Sequence, residues 1–179
     1  MITQKDKTVL QQLAAQVAEI AALPVQEEKR QLWRKLNALK PERPMVMIDQ
    51  VCWHEMNVND ELTLQCEDAE CRLIETVLRR TLYQWNHFRV DMVVEPFFRI
   101  PKAVNGMTLG LTIEEEVAYT DLENSVVSHQ YENQFVTDAD LDKIKEPVIT
   151  HDEAETARRL DLAHDIFDGI LDVMPWGVD

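Results

Sequence analysis

Val90-Asp91-Met92-Val93-Val94-Glu95-Pro96 is the stretch on which the reading of this chain turns. Its apolar residues follow one another almost without alternation, as in a strand covered on both faces of a parallel sheet. Pro96 closes it, because proline fixes its own φ and restricts the residue before it. Met45-Val46-Met47-Ile48 reads the same way, delivered by the stiff connector Lys40-Pro41-Glu42-Arg43-Pro44. Between these two runs lies an amphipathic helix that Asp68 caps, with Cys71, Ile74, Leu78, Leu82 and Trp85 on its inner face. Glu75 and Arg79 on that helix form an i,i+4 pair.

Upstream, residues 3–23 form a helix that Thr3 and Asp6 cap, with Leu10, Leu13, Val17 and Ile20 at spacings of three and four. Pro24 breaks it, and a second helix follows over 25–39 with Leu32, Trp33, Leu36 and Leu39 as its stripe. So short a break implies a helical hairpin over 1–40. Downstream, Leu109, Leu111 and Ile113 alternate as in a strand, and Val126–Tyr131 reads as a strand or an extended loop. A short helix starts at Thr137–Asp140, and Asp152 caps a last helix carrying Ala157, Leu160, Ala163 and Phe167. Ile170–Met174 begins a third strand. The order helix, helix, strand, helix, strand is the βα alternation of an α/β fold with a parallel sheet, here a segment over 41–179 forming one structural unit with the hairpin.

Composition bounds the function. Thirty-three Asp and Glu against 18 Lys and Arg give a formal charge of -15, which opposes binding to nucleic acid and to anionic membranes. Its main consequence is solubility, although an acidic face also suits a basic partner or a metal. The start Met1-Ile2-Thr3-Gln4-Lys5-Asp6 is polar and has no apolar leader core. No uncharged apolar run approaches the roughly 18 residues of a membrane span. Three cysteines in 179 residues do not make a disulfide framework, so a reducing cytoplasm is expected. Glycine occurs only at 106, 110, 169 and 177, which excludes phosphate-cradling loops. His54-Glu55 begins like a zinc-protease helix, but position 58 is Val58. The tryptophans at 33, 53, 85 and 176 are dispersed and read as packing residues.

Lys40–Asp49, Leu78–Trp85, Val90–Pro96, Ser128–Phe135 and Asp140–Lys145 together resemble the N-terminal portion of the uroporphyrinogen decarboxylase-like superfamily, which includes corrinoid-linked (methylcobalamin) methyltransferases. The resemblance is to the methyltransferase-like branch and covers nearly the whole chain. It implies the first units of a (β/α)8 barrel of the TIM type, for which roughly 250 residues is typical, incomplete in this chain. It implies a methyltransferase rather than a decarboxylase, since Asp49-Gln50-Val51-Cys52-Trp53-His54 lacks the arginines that hold uroporphyrinogen's carboxylates. It further implies that zinc binds in the absent later half and that a corrinoid rides on a partner protein, so that this chain holds no cofactor and is inactive alone. An open sheet implies self-association or pairing with the missing half of the barrel. A non-catalytic truncated module that associates through its edges is the alternative.

Residues just past the C-terminal ends of barrel strands face the site, which makes Asp49, His54, Glu55 and Glu95 the candidate catalytic residues. A histidine beside carboxylates serves as general acid and base or as a metal ligand. The structural alternative is a solvated loop at His54 and Glu55 with Glu95 paired locally. His129 and Tyr131 are candidate pocket residues, or part of a hydrogen-bonded surface segment. Cys52, His54, Cys66 and Cys71 have the residue types of a tetrahedral zinc site, which would make this a small metal protein. Their spacing matches no zinc knuckle, and Cys71 on an apolar helix face behaves as a small hydrophobe.

Overall fold

A computed structural model describes residues 2–119 and 127–177. The elements run α1 (Gln4–Ala21), α2 (Pro24–Asn37), α3 (Ala69–His87), β1 (Phe97–Pro101), β2 (Val104–Asn105), β3 (Glu115–Ala118), β4 (Ser128–Tyr131), β5 (Thr150–His151), α4 (Glu153–Phe167) and β6 (Asp172–Trp176), with 3-10 turns at Trp53–Glu55 and Asp138–Lys143. The fold is therefore mixed helix and small sheet. The chain divides into two compact units, Met1–Ile100 with Arg158–Trp176 and Pro101–Ala157 with Gly177–Asp179. Among the described residues no helix is long and apolar enough to cross a membrane.

The helix starts follow their caps. Thr3 accepts from the Asp6 N–H at 3.0 Å, and Asp68 accepts from the N–H groups of Glu70 and Cys71, each satisfying donors the first turn leaves unpaired. Asp6 is wholly buried. It accepts from the backbone of Glu67 at 3.0 Å and Asp68 at 3.2 Å, so the first turn of α1 is tied to the start of α3. The Glu67 N–H is the main cause that holds its carboxyl below the usual range. Helix α1 packs lengthwise on α3. Their apolar faces join Phe98 and Ile100 of β1 and Ala163, Ile166 and Phe167 of α4 in one core.

The first unit holds one two-stranded sheet, β1 beside β6. Phe98 and Ile100 are buried while Phe97 and Arg99 lie on the other side, and Val173 packs on the core while Asp172, Met174 and Trp176 are exposed. Side chains alternate along a strand, so the sheet has a core face and a bare face. In the second unit β2 pairs with β5 and β3 with β4, both antiparallel.

The two apolar runs expected as parallel strands are not strands. Residues 45–48 and 90–94 carry no ladder, and the regular strand starts at Phe97. The reason lies on α2, where Gln26, Lys29, Arg30 and Trp33 form one stripe at helical spacing and take the backbone groups that a neighbouring strand would have taken. Gln26 accepts from the Val94 N–H at 3.0 Å, Lys29 donates to the carbonyls of Arg89 and Met92, Arg30 donates to that of Val94, and Trp33 to that of Asp91 at 2.8 Å. The side chains of Gln26 and Lys29 are buried, and burial lowers the pKa of Lys29. Leu39, expected on an apolar stripe, is exposed. The extensive helix contact is α1 on α3.

The Met45 and Val90 segments still meet, through one clasp. Arg43 donates to both Asp91 oxygens, at 2.8 and 2.5 Å. The Val46 N–H reaches the same carboxylate at 2.8 Å, and the Asp91 N–H reaches the Val46 carbonyl at 3.1 Å. Arg43 is the main cause that lowers the Asp91 pKa to about 2. A folded-state pKa below the unfolded value contributes stability above the ordinary aspartate pKa of about 3.9, lost as pH falls through about 2. Asp91→Asn is therefore expected to cost about 1–2 kcal/mol at neutral pH, after allowance for the half-exposed Arg43. The difference from the parent should shrink between pH 4 and pH 2, read by urea unfolding at each pH.

Two further expectations shift. Leu109–Ile113 is irregular, because Gly110 takes φ +78° and breaks the alternation. The Leu109 carbonyl accepts from the Lys145 N–H at 2.7 Å instead of from a strand. The third strand begins at Asp172 rather than Ile170. The N–H groups of Ile170 and Leu171 both close onto the Phe167 carbonyl beyond α4, with Gly169 at φ +74° turning the chain. Ser128–Tyr131 is a strand, and Val126 lies outside the described residues.

Candidate functional site

Asp49 follows Ile48, whose carbonyl accepts from Gln84 at 3.1 Å, and is itself exposed without a hydrogen bond or ion pair among the described residues. The 3-10 turn Trp53–Glu55 carries the next two candidates. His54 Nε2 lies 3.4 Å from Glu55 Oε1, an ion-pair separation longer than the roughly 2.6–3.2 Å of direct proton transfer. The turn is anchored by Trp53, which meets Tyr83 edge to face at 6.0 Å and carries the Arg80 guanidinium 4.9 Å above its ring. Tyr83 also contacts His87 and Phe88, and His87 Nε2 sits 3.0 Å from Glu61.

Glu95 is committed elsewhere. Arg30 donates to its Oε2 through Nε at 3.2 Å and Nη2 at 2.9 Å, a charge-assisted fork. No described hydrogen bond or ion pair links Glu95 to Asp49, His54 or Glu55. The structure therefore brings His54 and Glu55 together and places Asp49 and Glu95 apart from them in bonding. Arg30 is a residue that sequence reasoning missed. It stands 65 positions away from Glu95, and only its place on the α2 stripe could have pointed to it.

In the second unit, β3 and β4 align Glu115 with Tyr131 and Val117 with His129. Directly opposed residues share a face, so these four side chains stand together. His129 Nδ1 is 3.0 Å from Glu115 Oε2, and the His129 and Tyr131 rings stack at 5.9 Å with an interplanar angle of 6°. The expected pair is thus joined by Glu115, which the alternation of Glu115 and Val117 could have suggested. All four residues of each strand are exposed. A separate open cavity of about 800 Å3 in this unit is lined by residues including Gly110, Glu114, Asn133, Asp142 and Lys145, and it contains none of the expected site residues.

The cysteines part company. Cys52 is exposed while Cys66 and Cys71 are buried, and burial pushes both buried thiols up to about 12. Zinc takes thiolates, which these two thiols do not readily supply. Among the described residues no group of three or more His, Cys, Asp or Glu is placed to hold a metal. No protein-family model, no curated protein and no solved structure matches this chain.

Proposed function

We propose that this chain is the N-terminal part of a uroporphyrinogen decarboxylase-like, corrinoid-dependent methyltransferase, incomplete and inactive alone. In this reading α1 and α2 are the helical entry to a TIM-type barrel, and β1 and β6 are two of its neighbouring staves. The observation that carries it is the β1–β6 sheet, where each strand follows a helix, α3 before β1 and α4 before β6, and both helices pack into the core beneath one face. Helices outside and a strand layer inside is the repeating arrangement of such barrels. The other face, with Phe97, Met174 and Trp176, is left bare, as the inward face of such strands would be before closure. His54, Glu55 and Asp49 would serve at the mouth as proton-transfer and orienting groups, and Glu95 through its Arg30 pair. Zinc and the corrinoid would be held by the later half and by a partner protein.

The test is co-expression with the polypeptide encoded directly after codon 179, followed by a methyl-transfer assay with a methylated corrinoid protein. Transfer by the pair and none by the chain alone is expected. A folded pair without transfer would contradict the reading. A second reading, a non-catalytic module that associates through its sheet edges, is favoured by the full exposure of β3 and β4, since a lone two-stranded ribbon is marginal in water. Light scattering that shows a strict monomer at high concentration would count against it.

A further inference from the structure

The bare face of the β1–β6 sheet combines an aromatic floor with a cation that forms no ion pair among the described residues. Arg99 projects on this face between the buried Phe98 and Ile100. Its guanidinium lies 5.3 Å from the Phe97 ring centre and makes no hydrogen bond or ion pair among the described residues. That is unexpected where carboxylates outnumber cations 33 to 18. The acidic groups nearest along the chain are already engaged, Asp91 by Arg43 and Glu95 by Arg30. Asp172, on the same bare face of β6, forms no ion pair with Arg99. Met174 is 45% and Trp176 59% exposed, and both lie on that same face of β6.

We propose that Arg99 recognises a small monocarboxylate with an apolar or aromatic body, bound on the face formed by Phe97, Arg99, Met174 and Trp176. The guanidinium fork matches the two oxygens of a carboxylate, and the aromatic floor takes the rest of the molecule. One fixed cation in a chain of charge -15 favours a single negative charge over a phosphate dianion, which the surrounding field repels. The inference rests on the barrel reading, in which Arg99, midway along β1, and Trp176, at the C-terminal end of β6, lie toward the mouth, and it names the substrate class for that mouth.

Phenylacetate, phenylacetamide and inorganic phosphate are the probes, titrated into the intact chain while the indole N–H of Trp176 and the Nε–H of Arg99 are followed by NMR. Phenylacetate should shift both signals saturably, with phenylacetamide much weaker and phosphate failing to compete. Arg99→Gln should weaken phenylacetate binding about tenfold to a hundredfold, as loss of a charge-assisted pair does. Arg80→Gln, which alters the guanidinium over Trp53 instead, should leave it unchanged, and unchanged circular dichroism confirms folding of each variant. Equal binding by Arg99→Gln, equal binding of the amide, or no shift at all overturns the proposal. Methyl transfer is not read here, so failure of the reconstituted pair leaves this result standing on its own.

Discussion

Phe167→Ala is expected to lower the free energy of unfolding of the first unit by about 3–5 kcal/mol, the range for truncating a buried phenylalanine. Phe167 is 0% exposed and its ring lies 5.0 Å from that of Phe98 at 34°. It joins the last turn of α4 to β1, and it sits in the same core as Leu10, Ile74 and Leu78. The loss would combine transferred surface with a cavity that three helices and a strand cannot readily close. Against a typical domain stability of about 5–15 kcal/mol, this approaches the limit of folding. Urea unfolding followed by tryptophan fluorescence is the suitable measurement, because Trp33, Trp53, Trp85 and Trp176 all lie in the first unit. A change below about 1 kcal/mol would mean that α4 is not seated on β1.

Glu75→Ala should cost a similar amount, about 3–5 kcal/mol, for an electrostatic reason. Glu75 is wholly buried. Its oxygens accept from the Cys66 N–H at 2.8 Å, from the Gln65 N–H at 2.9 and 3.0 Å, and from Arg79 Nε at 2.7 Å. Burial alone would raise its pKa, but the donors on Cys66, Gln65 and Arg79 outweigh burial and hold it below the usual glutamate value. The stability linked to this group is therefore present above the ordinary glutamate pKa and lost as pH falls below it. Alanine leaves two N–H groups and a largely buried guanidinium without their acceptor. The double variant Glu75→Ala/Arg79→Ala should be less unstable than the sum of its parts, because it removes the stranded cation as well. Strict additivity would show that the two side chains do not act as a pair.

The two predictions draw on different depths of the sequence. Thr3, Asp68 and Asp152 announced their helices because capping is local, a side chain and a backbone N–H within one turn. The i,i+4 spacing of Glu75 and Arg79 was equally legible, although not that the pair would be buried. Strand positions were less so. Val90–Val94 has the composition of a strand, yet its backbone is held by Gln26, Lys29, Arg30 and Trp33 from α2. Polar side chains on a helix read as solvent-facing until the chain they grip is known. At the candidate site, His54 and Glu55 are neighbours in sequence and remain so in space. The Arg30 partner of Glu95 and the Glu115 partner of His129 depend on tertiary pairing and strand register, which local patterns do not encode.

The proposed barrel requires the neighbouring strands β1 and β6 to run the same way. Backbone NMR on the intact chain can read this from cross-strand contacts between Phe97–Pro101 and Asp172–Trp176. The evenly spaced amide-to-α-proton contacts of a parallel pair are expected, with slow exchange of the Asp172 N–H that donates to the Pro96 carbonyl at 3.1 Å. Close α-proton to α-proton contacts between the two strands, the mark of antiparallel pairing, would contradict it.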